Sequence, residues 1–291
     1  MDYGNLHEAN PPKQTADEKF NEGIAVLHGT GSKKIDKGYA TVCIVEARDR
    51  GSDVARGMCL LNGWNCEKNL SEAISYFRKA ASIGNVHGVH GLAVCLLPGE
   101  ENLLEDPKEA IRLLRIAAEK NHSRAQCELG HCYRHGIGVE ANIKQAVFYY
   151  RLSATSGDSR GLCCLGACYH IGLGVEKDVR KAIEFYMRSA EQGHPSGQFN
   201  VGCCYKYGLG LKRDRSLAVH YFMASARANN RCAMRQLGIC YQYAEGVQKS
   251  TKRASAWFLR AALLGDSDSQ WHLGWNFKLG RGCKRSWSKA V

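Results

Sequence analysis

LGACYHIGLGV (residues 165–175) stands 36 residues after LGHCYRHGIGV (129–139) and 36 before VGCCYKYGLGL (201–211). A catalytic motif is needed once, so a phrase returning at a fixed interval marks a structural unit. Working outward, four copies align without gaps: 123–158, 159–194, 195–230 and 231–266. Upstream, 86–122 is one residue longer through the loop PGEENLLEDP, 52–85 is a shortened copy and 16–51 a weak first one. A partial copy begins at Ser267, and residues 1–15 read as a flexible tail.

Each copy reads as two helices. In 159–194, Leu165, Cys168 and Tyr169 fall at helical spacing on a first helix. Gly172 ends that helix, since glycine enters the left-handed region without steric cost, and Gly174 permits a tight turn above Val175. Asp178 is a good N-cap for a second helix, whose apolar face is Ala182, Ile183, Tyr186, Ser189 and Ala190, ended by Gly193. Small residues at Gly166 and Ala190 are expected to let the two helices approach closely. The chain is thus predicted to be all-α, a solenoid of about seven helix pairs plus a partial last repeat. One pair cannot bury its apolar face alone, so each needs its neighbours.

The pattern LGxCYxxGxGV…DxxKAxxxYxxxAxxG resembles the Sel-one-like repeat, a relative of the tetratricopeptide repeat. Leu165, Gly166, Tyr169, Gly172, Gly174, Ala182, Tyr186 and Ala190 carry it, with equivalents in the other copies. The resemblance implies a right-handed α/α superhelix with a groove lined by the first helices. It also implies a scaffold or adaptor that assembles other proteins, without catalysis. Copy 16–51 departs from the pattern, and ICYQYAEGV (239–247) has Ala244 where the first loop glycine is usual. The last copy stops at SWSKAV, where its second helix should begin, and a helix of one or two turns is unstable alone. Either the natural chain continues, which is the favoured reading, or an oligomer contact covers that face.

Fourteen cysteines without a signal-like N-terminus point to a reducing compartment, cytoplasm or nucleus. No run of about 18 apolar residues suggests a membrane span. Cys59, Cys95, Cys132, Cys168, Cys204 and Cys240 recur at 36 or 37 residues on the first helices. Neighbouring helices lie roughly 9–10 Å apart, and a disulfide needs Cα atoms within about 7 Å. The ladder is therefore read as small core residues. Some secreted bacterial members of the resembling family pair cysteines eight residues apart between helices and are linked to β-lactam binding. Here only Cys232 and Cys240 have that separation, on one helix, so the activity is not expected.

Cys127, His131 and His135 follow i, i+4, i+8, with Cys163 one helix over, a donor set that would suit zinc or copper. Arg134 would repel a cation there, and groove-lining polar residues account for the same letters. His87 and His90 make a weaker case still. Neither metal nor cofactor is expected. GIGVEA and GLGVEK follow a helix, not a strand, and GTGSKK (29–34) lacks the P-loop spacing, so these glycines are structural. No nucleophile–base or paired-carboxylate set stands out.

The net charge of +12 is uneven. Residues 1–194 hold 24 Lys and Arg against 24 Asp and Glu, whereas 195–291 hold 16 against 4. Much of the excess lies in KRDR (212–215), KSTKR (249–253) and KRSWSK (284–289), loops that should align along one edge. Such an edge either keeps the surface solvated or attracts an acidic protein, a nucleic acid or an anionic surface.

By analogy with tetratricopeptide-like packing, the groove should expose Arg124, His131, Arg134, His135, Arg160 and His170. It should continue through Phe199, Lys206, Tyr207, Arg235 and Tyr243 to Trp271, Trp275 and Lys278. Aromatic and arginine residues supply interface hot spots. Basic side chains can clamp a carboxylate or phosphate on a peptide, and neutral replacements of Arg134 and Lys206 are the natural probes. The alternative for some of these aromatics, Trp271 above all, is packing between repeats. The reading is an adaptor for an acidic or phosphorylated segment, with nucleic-acid binding by the basic edge as the alternative.

Overall fold

The computed structural model describes residues 14–30, 34–98 and 105–282. The tail residues 1–13, residues 31–33 of GTGSKK, loop residues 99–104 and the end 283–291, with KRSWSK and SWSKAV, lie outside them. Among the described residues there are fifteen α-helices and no strand. The first three pairs are α1 (Ala16–His28) with α2 (Lys37–Asp49), α3 (Asp53–Asn62) with α4 (Leu70–Ser82), and α5 (Val86–Leu96) with α6 (Pro107–Glu119). The 36-residue copies give α7 (Ser123–His135) with α8 (Ile143–Thr155) and α9 (Ser159–Ile171) with α10 (Val179–Glu191). They continue as α11 (Pro195–Tyr207) with α12 (Arg215–Arg227) and α13 (Arg231–Tyr243) with α14 (Thr251–Leu263), before α15 (Ser267–Leu279).

Helix ends follow side-chain chemistry. Asp178 Oδ1 accepts the Lys181 N–H and opens α10, as Asn142, Asp214 and Ser250 open α8, α12 and α14. Gly136, Gly172, Gly208 and Gly280 close first helices with left-handed backbone. Ala244 does the same work for α13 at φ +59°.

The core is a repeated notch filled by a ring. A Cβ on Gly166 would stand 2.8 Å from the Tyr186 ring and 3.1 Å from the Ala182 carbonyl oxygen. Gly130 receives Tyr150 in the same way, Gly202 Phe222 and Gly238 Phe258. Copy 86–122 carries Ala93 at this position and Leu114 in place of the ring, both fully buried, so volume is exchanged across the contact. The close approach expected at Gly166 is present, and the role expected of Ala190 is corrected. Gly166 makes room for Tyr186, and Ala190 with Ser189 faces Gly197 at the start of the next repeat.

Gly174, read from sequence as a turn residue only, also joins repeats. Its equivalent Gly246 has φ +73°, and a Cβ there would overlap the Arg215 carbonyl at the start of α12. The second glycine of the phrase thus seats each loop on the preceding second helix. The cysteine ladder is 0–1% exposed and free of disulfides. Burial pushes those thiols up to about 11 or 12. First helices touch one another directly, α3 with α5, α7 with α9 and α9 with α11, and so form the inner layer of the stack.

Candidate functional site

The inner surface divides into two regions because the N-terminal pair folds back onto it. Ser159 Oγ, at the start of α9, donates to the His28 carbonyl oxygen at 2.6 Å, and the Ile35 N–H donates to the Gln192 carbonyl oxygen at 2.7 Å. Phe20 of α1 meets His87 of α5 edge-on at 5.3 Å. A cavity of about 570 Å³ remains beneath this roof, lined from α1, α2, α3, α5, α7 and α9.

Arg124 and Arg160 belong to that cavity rather than to an open groove. Arg160 Nη1 donates to Glu128 Oε1 at 2.6 Å. The Arg124 guanidinium lies 3.9 Å from Glu128 and 3.8 Å from Asp158. His87, His90 and His122 share the cavity wall, with His122 Nε2 and His87 Nδ1 3.0 Å apart. Burial lowers His28, His87 and His90 and takes His122 down to about 3, so these rings are neutral at pH 7.

The second region, over α9, α11, α13 and α15, lies beyond the roof. The residue closing each first helix is apolar and exposed: Ile171 (58%), Tyr207 (56%), Tyr243 (62%) and Leu279 (43%), spaced 36 apart. Trp271 and Trp275 stand exposed on α15, stacked at 6.1 Å, with Lys278 Nζ 5.3 Å over the Trp275 ring. Trp271 thus does not take the alternative role of packing between repeats. The basic loops are tied to the ends of these helices: Arg213 Nε donates to the Lys206 carbonyl oxygen, and the Ser250 N–H donates to the Tyr241 carbonyl oxygen. Lys212, Lys249 and Lys252 are exposed.

Other predicted residues go elsewhere. Lys206 was expected to be exposed but is buried, held 2.9 Å from Glu245 and donating to Gln236 at 2.9 Å. Two acceptors reached by one ammonium offset its desolvation. Phe199 packs on Phe222 at 5.9 Å inside the pair, and Arg235 is tied to Asp266 at 3.0 Å. His170 lies against Tyr186. His131 and His135 are exposed, 4.5 Å apart, next to a half-buried Arg134, and burial with the neighbouring His135 lowers His131.

The considered metal set does not come together. Cys127 is buried and hydrogen-bonded to the free thiol of Cys164, and Cys163 takes an Asn200 N–H at 3.5 Å, while the two histidines are exposed. Among the described residues no group of three or more His, Cys, Asp or Glu is arranged to hold a metal. No helix among them is long and apolar enough to cross a membrane.

Ile171 and Leu279 were absent from the sequence-based list, although alignment at 36 residues puts them in register with Tyr207 and Tyr243. Glu128, His28 and His122 were missed for another reason: what they face is brought to them by a distant segment.

Comparison with known proteins matches this architecture. Curated relatives include an F-box protein of Arabidopsis thaliana, 29% identical over 118 residues, covering 40% of this chain and 32% of that protein. Chitin synthase regulatory factor 2 of Schizosaccharomyces pombe is 31% identical over 121 residues, 39% of this chain and 24% of that protein. The chain thus spans a third or less of the curated relatives it matches. Among solved structures, a Sel1 repeat protein from Oxalobacter formigenes superposes with a TM-score of 0.70 at 30% identity, over 81% of this chain and 95% of that one. The Sel1 repeat model matches residues 53–85, 87–122, 123–158, 161–194, 195–230 and 233–266, the copies whose notches, caps and loop contacts build the solenoid. With that much of its length accounted for, this chain belongs to the Sel1 repeat family.

Proposed function

We propose that the chain is a non-catalytic interaction scaffold whose open inner face, over α9, α11, α13 and α15, holds an acidic or phosphorylated peptide segment. Membership of the Sel1 repeat family supports the scaffold half of this reading. One observation supports the other half: of the exposed ladder Ile171, Tyr207, Tyr243 and Leu279, the helix ends carrying Tyr207 and Tyr243 are tied to the basic loops 212–215 and 249–253. The ties run from Arg213 Nε to the Lys206 carbonyl and from the Ser250 N–H to the Tyr241 carbonyl. Apolar side chains offer anchors for a partner's apolar residues, and the adjoining cations attract its carboxylates or phosphates. Lys206 and Arg235 contribute only indirectly, since internal carboxylates already hold them.

The test is affinity capture from cell extract at physiological salt, with and without nuclease, comparing the natural chain with Tyr207→Ser/Tyr243→Ser. Discrete proteins that survive nuclease and are lost from the double variant support the reading. Capture that vanishes with nuclease would instead favour nucleic-acid binding by the basic edge, with its steep loss of affinity in salt.

A further inference from the structure

We infer that the cavity beneath the N-terminal helix pair is a binding site for a small organic acid, one anionic head on an apolar body. At about 570 Å³ it falls within the range of small-molecule sites, about 300–1,000 Å³. Its lining combines two chemistries: Leu27, Met58, Leu61, Trp64 and Val94 are apolar, while Arg124, Arg160, Lys37 and His90 are polar.

The polar lining residues hold unspent hydrogen-bonding capacity. Arg124 approaches Glu128 and Asp158 only to 3.9 and 3.8 Å, too far for hydrogen bonds. The Nε2 atom of His90 is buried without a hydrogen-bond partner. Half-buried donors left in this state cost stability unless something answers them, and a carboxylate or phosphate matches the guanidinium fork. Charge points the same way. Lys37, Arg124 and Arg160 line the cavity against one lining carboxylate, Glu128, with Asp158 beside Arg124. Neutral histidines add hydrogen bonds without adding charge, so a single negative charge balances the site. Trp64 and Leu61, also in the lining, supply contact for an aromatic or aliphatic body. The roof formed by α1 and α2 makes the place a chamber, with Ser159 bonded to His28 at its rim. This site is separate from the open peptide-holding face, and neither proposal depends on the other.

The experiment titrates the full chain with 3-phenylpropionate, with its neutral amide and with phenyl phosphate, following Trp64 fluorescence and the thermal midpoint. At least one acid should bind at least tenfold more tightly than the amide, raise the midpoint and change the emission. The two acids together identify the head group. In Trp64→Phe the emission change should disappear while the midpoint shift remains, which places the ligand in the cavity. Arg124→Gln should weaken binding at least tenfold and Arg124→Lys less. Should Arg124→Gln prove unfolded, Leu61→Trp fills the apolar part of the lining and should abolish the midpoint shift. No response to either acid at millimolar concentration overturns the inference. So does equal binding of the amide, or an emission change that survives in Trp64→Phe.

Discussion

The Ser159 hydroxyl donates to the His28 carbonyl oxygen at 2.6 Å, joining residues 131 positions apart. Stacked repeats touch their neighbours, but this bond joins the start of the fifth helix pair to the end of α1. The inner surface is thereby divided into a roofed chamber and an open face. Ser159→Ala should remove the bond and leave a poorly satisfied carbonyl, costing about 1–3 kcal/mol of docking. Hydrogen exchange should then quicken across residues 16–30 while 195–266 stay as protected as before. Unchanged exchange in α1 would mean that other contacts hold the roof.

Ala244 occupies a position that six-residue spacing from Ser250 and the αL cap would give to glycine, at φ +59°. An L-residue in that region pays about 1–2 kcal/mol. Ala244→Gly should recover roughly 1 kcal/mol, offset in part by the looser unfolded chain. A higher denaturation midpoint, with the same helical content, is the expected reading.

Gly246 should behave in the opposite sense. A Cβ there meets the Arg215 carbonyl at the start of α12, and the backbone at φ +73° disfavours any side chain. Gly246→Ala should cost about 3 kcal/mol or more, with exchange rising first in α13, α14 and α15. Uniform loss along the whole chain would argue against a contact local to this joint.

Acid should loosen the roof before the solenoid. Burial takes His122 and His194, whose side chains cap α7 and α11, down to about 3, and lowers His28 and His90 as well. The unfolded state, with histidine near 6.5, binds more protons than the native state below that value. Stability is therefore fully present above about pH 6.5 and falls as pH drops toward 3, by about 1.4 kcal/mol at pH 5.5 for each of His122 and His194. Limited proteolysis between α1 and α2 should accelerate from pH 7.5 to 5.5, while cleavage near α13 and α14 changes less.

Local chemistry explains why so much of the fold could be read from the chain. Asp178, Gly172 and the buried face Ala182, Ile183, Tyr186, Ser189 and Ala190 follow from caps and periodicity within one copy. Contacts between copies were harder. Gly174 and Ala190 serve the adjacent repeat, a role visible only once repeats are stacked. The roof was not legible, because Arg124 and Arg160 look like ordinary groove residues until the sequence-distant N-terminal helix pair covers them. Lys206 misled for a related reason: its partners Gln236 and Glu245 come from the next repeat, at no spacing that one helix reveals. Tyr207, Tyr243, Trp271 and Trp275 remain on the surface where aromatic residues at first-helix positions were expected to expose themselves.

The most direct test of the open face is selection from a random displayed peptide library on the full chain, followed by anisotropy titration of the selected peptides. Peptides rich in Asp and Glu around an apolar anchor should emerge. Tyr207→Ser/Tyr243→Ser should weaken them at least tenfold, whereas Arg124→Lys, inside the chamber, should leave them unchanged. A neutral or basic consensus, or affinity indifferent to the two tyrosines, would contradict the assignment of this face as the partner surface.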